Sequence, residues 1–548
     1  MTKWTNEQIN VFDASGNVLV YASAGSGKTS VMVKKIVDDV VKGVPVKDIL
    51  VVSYTKASAT DMRLKIINAL FDVAKDENVK NVDKIREEID NLPFAEIGTM
   101  DSFLSRLIKE NFEYLKISPK AQQMDETESK DMKRRALKKV MNDEYEKQAE
   151  DFIRVASRAS GIVDDTPLSE IVLKIYDAIS INPRPDEFKA MLLSSVTDNP
   201  DSVYGKVILD FYRDLAAETL PFVKRTIDVT SLEGAPVYAA ALGHSVETLE
   251  ELSDMCTAND AKKIIERYVK PNFRGGKPKI SDEDKALVAT ARDKTAEIIE
   301  NLSEKLFVDY TNYNVNDAKE FMRVVMRVVE EFDKEYERLK KRENKIDFAD
   351  LSKYAVKLLK DESRREEIRQ KFSLVFVDEY QDINPLQEEI LLKITDGNLF
   401  MVGDVKQSIY AFRNADSKIF TDKKKSFETG RSQGRALPMT ANFRSENGVL
   451  EFVDRVFSGI MTLTHGGCDY KNESLFLKDG FTGEMSKNAR IMLVKNDPSR
   501  EETEISGVYS VMSHERNSSL DEISGYTEGS AVAEEIRKII GSKYVKSD

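Results

Sequence analysis

Short runs of apolar, often β-branched residues alternate with helical patterns toward both ends of this chain. Residues 17–22 and 48–54 predict buried strands, and residues 28–41 between them predict a helix. Strand texture returns at residues 373–377 and 399–402, and each of these apolar runs is followed by an acidic residue. Strands that alternate with helices are typical of a parallel sheet with helical crossover connections.

The long segment between these regions, residues 106–370, has a mostly helical pattern. Amphipathic stretches dominate it, as at residues 168–179 and 320–339, and a loop with adjacent glycines interrupts it at residues 271–278. We therefore expect a large helical block inserted within a single α/β domain.

After residue 444 a further mixed region begins, with a helix near residues 446–457, a strand at 489–494 and a helical segment at 530–540. The whole pattern predicts three parts. They are an α/β domain from residues 1–105 and 371–440, an inserted helical domain from residues 106–370, and part of a second α/β domain from residues 441–548.

The charge of the chain changes this picture little. Its 548 residues suit two to four domains, and a net charge of -13 argues weakly against a nucleic-acid partner. A local basic groove can still hold DNA in an acidic protein. Two basic segments are candidates, residues 262–279 and 133–139, and each is either a DNA contact or a solvated face.

Cysteine and histidine usage gives no sign of a structural metal. Cys256 and Cys468 lie far apart, and His244, His465 and His514 show no ligand spacing, so we expect structural or surface roles for the histidines. The N-terminus lacks the pattern of a signal peptide, and no segment approaches the roughly 18 apolar residues of a membrane span. A reduced, cytoplasmic compartment fits best.

The strongest chemical signal follows the first predicted strand and precedes the first long helix. Its glycines can adopt backbone angles that let successive N–H groups face a phosphate at a helix N-terminus. A lysine there reaches the β- and γ-phosphates of ATP, and the next hydroxyl holds Mg²⁺. A chance glycine-rich turn is the alternative. The residues are Ala22, Ser23, Ala24, Gly25, Ser26, Gly27, Lys28 and Thr29.

An acidic pair, Asp378 and Glu379, follows the strand at residues 373–377. In a P-loop ATPase this is where the second metal anchor lies, so Asp378 is expected to bind Mg²⁺ through water and Glu379 to act as general base. An ordinary turn is the alternative, which the upstream Lys28 disfavours. The two signals together predict the RecA-like parallel sheet of a P-loop NTPase.

The sequence VDEYQD, paired with GSGKT, resembles the UvrD/Rep branch of superfamily 1 helicases. Further segments resemble the motifs of that family in the expected order. They are Trp4 to Gln8 (Q motif), residues 51–63 (motif Ia), 99–103 (motif Ib), 400–413 (motif III) and 437–445 (motif IV).

This resemblance implies roles at the nucleotide. Gln8 would read adenine, Phe443 would stack on it, Gln407 would sense the γ-phosphate, and Arg444 would stabilise charge in the transition state. It also implies ATP and Mg²⁺ as cofactors and 3′-to-5′ movement along single-stranded DNA.

On the DNA side, the resemblance implies that aromatic rings lie under the bases, where stacking tolerates any sequence. Arg413 and Arg63 are candidates for phosphate contacts or for internal pairs. Asp101 departs from the histidine usual in motif Ib, which puts DNA contact there in doubt. The candidate DNA-binding residues are Tyr54, Thr55, Arg63, Thr99, Ser102, Tyr410, Phe412 and Arg413.

A narrower resemblance is to the AddA family, the helicase subunits of bacterial AddAB helicase–nucleases. It rests on residues 160–161, 167–176, 182–183, 336–351 and 469–470. It implies duplex as well as single-stranded DNA as substrate, a role in double-strand break repair, a nuclease part outside this chain, and an AddB-like partner subunit. Nothing after Ser445 resembles motifs V and VI, so we expect the N-terminal part of a longer protein.

Other functional classes remain as alternatives. The chain is otherwise a nucleotide-binding DNA scaffold with little turnover, or a stand-alone UvrD/Rep-type repair helicase. A non-helicase P-loop ATPase is disfavoured by Gln407, by the NFRS segment that ends at Ser445, and by the VDEYQD sequence.

Overall fold

A computed structural model describes most of the first 470 residues. The described residues are 4–76, 81–160, 165–197, 199, 202–230, 232, 235–272, 280–307, 315–445, 447–462, 467–468, 470 and 476–477. The chain divides into two compact units, residues 1–445 with 453–480 and residues 446–452 with 481–548. Of the second unit, only residues 447–452, in a helix, are described. The predicted strand at 489–494 and helix at 530–540 lie outside the described residues.

A six-stranded sheet forms the centre of the first unit. Its strand order is β3-β2-β6-β7-β1-β8, and every adjacent pair is parallel. The predicted α/β class with a parallel sheet is therefore confirmed. The strands in the described residues are β1 (Val18–Ala22), β2 (Ile49–Ser53), β3 (Glu96–Thr99), β4 (Gln122–Gln123), β5 (Lys345–Ile346), β6 (Leu374–Val377), β7 (Leu399–Gly403), β8 (Arg435–Met439), β9 (Ala441–Asn442) and β10 (Phe476–Leu477).

Helices surround this sheet and fill the long insertion. Before the insertion come α1 (Asn6–Phe12), α2 (Lys28–Val41), α3 (Lys56–Ala74), α4 (Val82–Asn91), α5 (Met100–Glu110) and α6 (Phe112–Leu115). Within it are α7 (Glu126–Glu146), α8 (Glu150–Ser160), α9 (Thr166–Ser180), α10 (Pro185–Ser195), α11 (Val203–Val229), α12 (Pro236–Asp254), α13 (Ala258–Arg267), α14 (Asp282–Leu306) and α15 (Val315–Glu343). After it come α16 (Phe348–Leu358), α17 (Glu362–Lys371), α18 (Pro385–Ile394), α19 (Ser417–Glu428) and α20 (Asn447–Ile460).

The strands are apolar on both faces because helices cover both sides of the sheet. Within β1, Val18 and Val20 belong to one hydrophobic core while Leu19 belongs to the other, as the two-residue period of a strand requires. One core contains residues of α1–α4, and the other contains residues of α5, α16 and α18. Near-continuous apolar runs are the signature of such a doubly covered parallel sheet.

The second of these cores extends beyond the boundaries expected from the sequence. It continues past residue 105 to Leu115 and resumes at Ile346, so α5, α6, α16 and α17 pack with the sheet rather than with the insertion. The remaining inserted helices have two separate cores. One contains residues of α7, α8, α9 and α15, and the other contains residues of α11–α14.

A buried ion cluster lies where the insertion returns to the sheet. The ammonium of Lys340 on α15, 2% exposed, contacts the carboxylate of Asp350 on α16 at 2.5 Å and that of Glu337 at 2.7 Å. Tyr336 donates its hydroxyl to Asp347, 2.9 Å away. Burial lowers the pKa of Lys340, but the carboxylates of Asp350 and Asp347 outweigh it, so the net shift is upward.

In the part of the chain that the structure describes, no helix is both long enough and apolar enough to cross a membrane.

Candidate active site and nucleic-acid interface

The predicted phosphate loop connects β1, a central strand, to the N-terminus of α2. Gly25 and Gly27 have φ angles of 72° and 86°, which residues with a Cβ rarely adopt. Lys28 is the first residue of α2 and Thr29 lies in its first turn. The hydroxyl of Ser26 is buried and has no hydrogen-bond partner among the described residues. An orphaned donor in a loop at a helix N-terminus fits an anion such as phosphate.

The acidic pair lies beside this loop, although about 350 residues separate them. Asp378 and Glu379 follow β6, and the carboxylate of Glu379 contacts the ammonium of Lys28 at 3.4 Å. Burial, and then the charge of Glu379, raise the pKa of Asp378 to about 6. A buried carboxylate of this kind fits a cation, because a cation favours its ionised form.

Gln381, which was not among the residues expected from the sequence, links this pair to the next strand. Its side-chain amide nitrogen donates to Glu379 at 3.0 Å and to Asp382 at 3.1 Å, and its amide oxygen accepts the backbone N–H of Asp404 at 2.9 Å. Gly403 makes room for it, since a Cβ there would lie 2.5 Å from the amide oxygen. The only sequence signal for Gln381 was its place within VDEYQD.

Gln407 lies at the same edge of the sheet, shortly after β7. Its amide donates to the carboxylate of Asp404 at 2.6 Å, and Lys406 contacts that carboxylate at 2.8 Å. Asp404 is therefore held by Gln381 through its backbone and by two neighbours through its side chain. A continuous path of contacts runs from Lys28 through Glu379, Gln381 and Asp404 to Gln407.

Gln8 is bound to the phosphate loop itself. Its amide oxygen accepts the backbone N–H of Thr5 at 3.0 Å, and its amide nitrogen donates to the carbonyl of Ser26 at 3.2 Å. The first bond is half of a capping box at the start of α1. The amide proposed to read adenine thus already joins α1 to the loop, with one N–H left over for a ligand.

The other two nucleotide candidates from the sequence, Phe443 and Arg444, follow β8 on an exposed segment. A second residue that the sequence did not single out, Asn442, is buried just before them. Its amide nitrogen donates to the carbonyl of Ala24 at 2.7 Å, and its amide oxygen accepts the backbone N–H groups of Arg444 and Ser445 at 2.8 and 2.9 Å. Asn442 lies within the NFRS segment, but no local pattern indicated this contact.

These residues fit Mg·ATP. The loop from Gly25 to Thr29 would hold the phosphates, and Thr29 and Asp378 would hold the metal. Lys28 and Glu379 already face each other across the space between β1 and β6. The expected nucleotide residues that this edge of the sheet brings together are Gln8, Ala22, Ser23, Ala24, Gly25, Ser26, Gly27, Lys28, Thr29, Asp378, Glu379, Gln407, Phe443 and Arg444.

Three of the predicted aromatic residues form a cluster at the ends of β2 and β7. The rings of Tyr54 and Tyr410 stack with centroids 4.2 Å apart, and Phe412 lies 5.8 Å from Tyr410. Phe412 is 75% exposed. Arg413 lies over the rings of Tyr410 and Phe412 at 5.9 and 5.7 Å and hydrogen-bonds the hydroxyl of Tyr54. An exposed aromatic surface with a guanidinium suits stacked bases and their phosphates.

Four other DNA candidates make internal contacts instead. The guanidinium of Arg63 donates to the carbonyls of Leu92, Ala95 and Ile97, so of its two predicted roles the structure supports the internal one. Thr55 and Thr99 accept backbone N–H groups as the N-caps of α3 and α5. Ser102 donates its hydroxyl to the carbonyl of Thr99 at 2.7 Å. These hydroxyls satisfy helix ends, which is a structural role.

Asp101 lies near the aromatic cluster. Burial raises the pKa of its carboxyl, and the opposing charges of Arg413 and Lys56 do not cancel that shift. Its negative charge is therefore partly suppressed and partly compensated, which reduces the repulsion of DNA that was expected there from the sequence.

The basic segment at residues 133–139 is neutralised by carboxylates. Lys133 contacts Asp177 at 2.7 Å, Arg135 contacts Glu343 at 3.1 Å, and Lys139 contacts Asp143 at 3.4 Å. The segment is better described as a solvated, ion-paired face. In the segment at residues 262–279, Lys270 contacts Asp293 at 3.1 Å, and residues 273–279 lie outside the described residues.

Comparisons with known proteins agree with this geometry. The UvrD/REP helicase N-terminal domain matches residues 4–428. A protein from Alkaliphilus oremlandii, named as the A-type subunit of an ATP-dependent helicase/nuclease, is 32% identical over 491 residues, which cover 86% of this chain and 40% of the relative. A protein of the same name from Ligilactobacillus salivarius is 29% identical over 527 residues, covering 91% of this chain and 42% of the relative.

This chain spans about two fifths of the length of those curated relatives. The domain match alone covers well over half of the chain and includes the phosphate loop, the acidic pair and the aromatic cluster. The chain therefore belongs to the UvrD/REP helicase family.

Proposed function

We propose that this chain is the ATP-hydrolysing part of a motor that moves along single-stranded DNA. The observation that carries the proposal is the contact between Lys28 and Glu379 at 3.4 Å. It brings a phosphate-binding lysine and a candidate general base together from opposite ends of the sequence. The aromatic cluster at the same edge of the sheet supplies a surface for DNA.

Each nucleotide residue has a role that follows from its chemistry. The loop from Ala22 to Thr29 binds the phosphates, with Lys28 at the β- and γ-phosphates. Glu379 orients the attacking water and accepts its proton. Mg²⁺, when bound at Thr29 and Asp378, neutralises the charge of the phosphate oxygens. Arg444 stabilises the charge that develops on the transferred phosphoryl group.

The base end and the γ-phosphate end of ATP have their own readers. Phe443 stacks on the adenine, and Gln8 offers it the one amide N–H that is not used within the protein. Gln407 senses the γ-phosphate. Because Asp404 holds Gln407, and Gln381 holds Asp404, a change at the γ-phosphate would also be felt at Glu379.

On the DNA side, bases stack on Tyr54, Tyr410 and Phe412, and Arg413 binds a phosphate. Stacking is nearly independent of sequence, as a motor requires. Closure of a second α/β domain on ATP binding, and its reopening after hydrolysis, would advance the strand. The 3′-to-5′ direction of this movement is part of the proposal and rests on the family resemblance.

The domain assignment follows the same reasoning. The ATPase domain 1A is the sheet with its covering helices, the inserted helices form domain 1B, and residues 441–548 contribute to domain 2A. The relatives named as helicase/nuclease subunits support a cytoplasmic assembly with an AddB-like second subunit. In that assembly a nuclease part outside this chain would process single-stranded and duplex DNA during double-strand break repair.

The test is hydrolysis of Mg·ATP by this chain, with and without single-stranded DNA. The Lys28→Ala variant is compared with Lys42→Ala, which removes an exposed lysine at the other end of the same helix. We expect hydrolysis that DNA stimulates, that Lys28→Ala abolishes and that Lys42→Ala leaves unchanged. Nucleotide binding without turnover would favour the scaffold alternative, and failure to bind ATP at all would overturn the proposal.

A further inference from the structure

Asn442 is a third participant between the phosphate loop and the segment that carries Phe443 and Arg444. We propose that it is a positioning residue, which sets the location of Arg444 relative to the phosphates. This inference rests on the proposed function, because it concerns how the same nucleotide site distinguishes ATP from ADP.

The segment after β8 runs beside the phosphate loop as a continuation of the sheet. β1 and β8 are paired up to Ala22 and Met439, and the backbone N–H of Ser23 then donates to the carbonyl of Met439 at 2.9 Å. Further along, the N–H of Phe443 donates to the carbonyl of Gly25, also at 2.9 Å. The two chains therefore remain side by side well past the last residues of the strands.

The Asn442 side chain is the fork that fixes this arrangement. Its amide nitrogen is bound to the loop through the carbonyl of Ala24, and its amide oxygen closes a turn by accepting the N–H groups of Arg444 and Ser445. Asn442 is 4% exposed, so neither end competes freely with water. No other amino acid side chain supplies both a donor and two acceptor positions at this length in a neutral group.

The loop is shaped to receive this fork. A Cβ built on Gly25 would lie 2.8 Å from the amide nitrogen of Asn442, so a side chain at position 25 would displace the amide. Glycine is thus required at position 25 for contact with Asn442 as well as for its φ of 72°. The same loop that is to bind the phosphates is in direct contact with the anchor of Arg444.

A consequence follows for nucleotide discrimination. Arg444 is exposed, and Asn442 holds its backbone in the turn. If Arg444 acts on the γ-phosphate, loss of Asn442 must weaken binding of ATP more than binding of ADP. Simple damage to the phosphate loop would instead weaken both nucleotides equally, because both contain the β-phosphate.

The experiment is a double-mutant cycle on nucleotide affinity, measured with fluorescent ATP and ADP analogues and Mg²⁺. The variants are Asn442→Ala, Arg444→Ala and the pair together. We expect Asn442→Ala to weaken ATP binding about tenfold, as loss of a buried hydrogen-bonding group does, and to weaken ADP binding much less. The double variant should bind ATP no more weakly than Arg444→Ala alone, because the two residues act as one unit.

A second variant separates the two ends of the fork. Asn442→Ser can still close the turn through its hydroxyl, but it is too short to reach Ala24. We expect it to lose discrimination between ATP and ADP as Asn442→Ala does. Thr440→Val is the matched control. It removes a hydroxyl bound to Glu7 in the same segment, at 3.0 Å, and should leave both affinities unchanged.

Equal loss of ATP and ADP binding in both Asn442 variants, or fully additive effects with Arg444→Ala, would overturn the inference while leaving the proposed function intact. Absence of Lys28-dependent ATP binding in the wild-type chain would instead overturn the proposed function, and this inference with it.

Discussion

The side chain of Gln381 donates to the carboxylate of Glu379 across 3.0 Å. Glu379 has a φ of 52°, a left-handed conformation that residues other than glycine rarely adopt. Its carboxylate is held by Gln381 on one side and by Lys28 on the other. A strained backbone at a candidate general base is stable only when its surroundings fix it, and these two contacts are what fix its carboxylate.

We therefore predict that Gln381→Glu slows ATP hydrolysis far more than it weakens ATP binding. The new carboxylate would face those of Glu379 and Asp382 and displace the base. Misplacement of a reacting group by about 1 Å costs on the order of 100-fold in rate. Steady-state hydrolysis should show that fall in kcat, and a direct binding assay should show an ATP affinity within about threefold of wild type.

The control for this substitution is Gln370→Glu, which makes the same chemical change on the exposed face of α17. It should leave kcat unchanged. A Gln381→Glu protein with normal kcat would show that Glu379 does not depend on this contact.

We predict that Phe412→Ala weakens binding of single-stranded DNA. Loss of one stacking ring costs about 1–3 kcal/mol, or roughly 5- to 100-fold in affinity. Phe94→Ala is a matched control, because Phe94 is 73% exposed, close to the 75% of Phe412, but it precedes β3 at the opposite end of that strand. Anisotropy of a labelled oligonucleotide measures both, and equal affinities for the two variants would remove the aromatic cluster from the DNA path.

Local patterns were sufficient to predict the sheet, the phosphate loop and the acidic pair. The strand at residues 17–22, the glycines and the helix that begins at Lys28 are contiguous, so their sequence carries the whole signal. Family resemblance then predicted the aromatic cluster formed by Tyr54, Tyr410 and Phe412, which the structure brings together.

The missed residues depend on tertiary contacts that no local pattern encodes. Asn442 and Ala24 are 418 residues apart, and an asparagine in a loop looks the same whether or not it meets a distant carbonyl. Arg63 is similar, since its position on α3 did not reveal that three carbonyls near β3 surround it. The domain boundaries shifted because an amphipathic helix such as α5 shows the same pattern against a sheet as against another helix.

We predict that Glu96→Gln raises the melting temperature at alkaline pH. Burial raises the pKa of Glu96, and the attraction of Arg106 at 2.9 Å only partly opposes this. The folded state therefore holds the proton more tightly than the unfolded chain does. The resulting contribution to stability is present below the unfolded pKa of about 4.3 and is lost as pH rises through the folded pKa.

The neutral variant avoids that loss, so its advantage over wild type should be greatest near about pH 8 and disappear toward about pH 4. Thermal melts across this range test it. Glu110→Gln, which removes an exposed partner of Lys371 on the rim of the same cavity, should show no such pH-dependent advantage. A Glu96→Gln protein that melts below wild type at alkaline pH would show that the pair with Arg106 outweighs burial.

The cluster around Lys340 predicts the largest effect on stability. Lys340→Met would leave the buried carboxylates of Asp350 and Asp347 without their cation. Removing one partner of a buried ion pair costs about 3–5 kcal/mol, because the remaining charge is buried and uncompensated. Urea unfolding should show this loss in the cooperative unit that contains α15 and α16. Lys341→Met, on the adjacent exposed residue, should unfold like wild type. Equal stability of the two variants would mean that the carboxylates become protonated or solvated at little cost, and that the junction between insertion and sheet does not rely on Lys340.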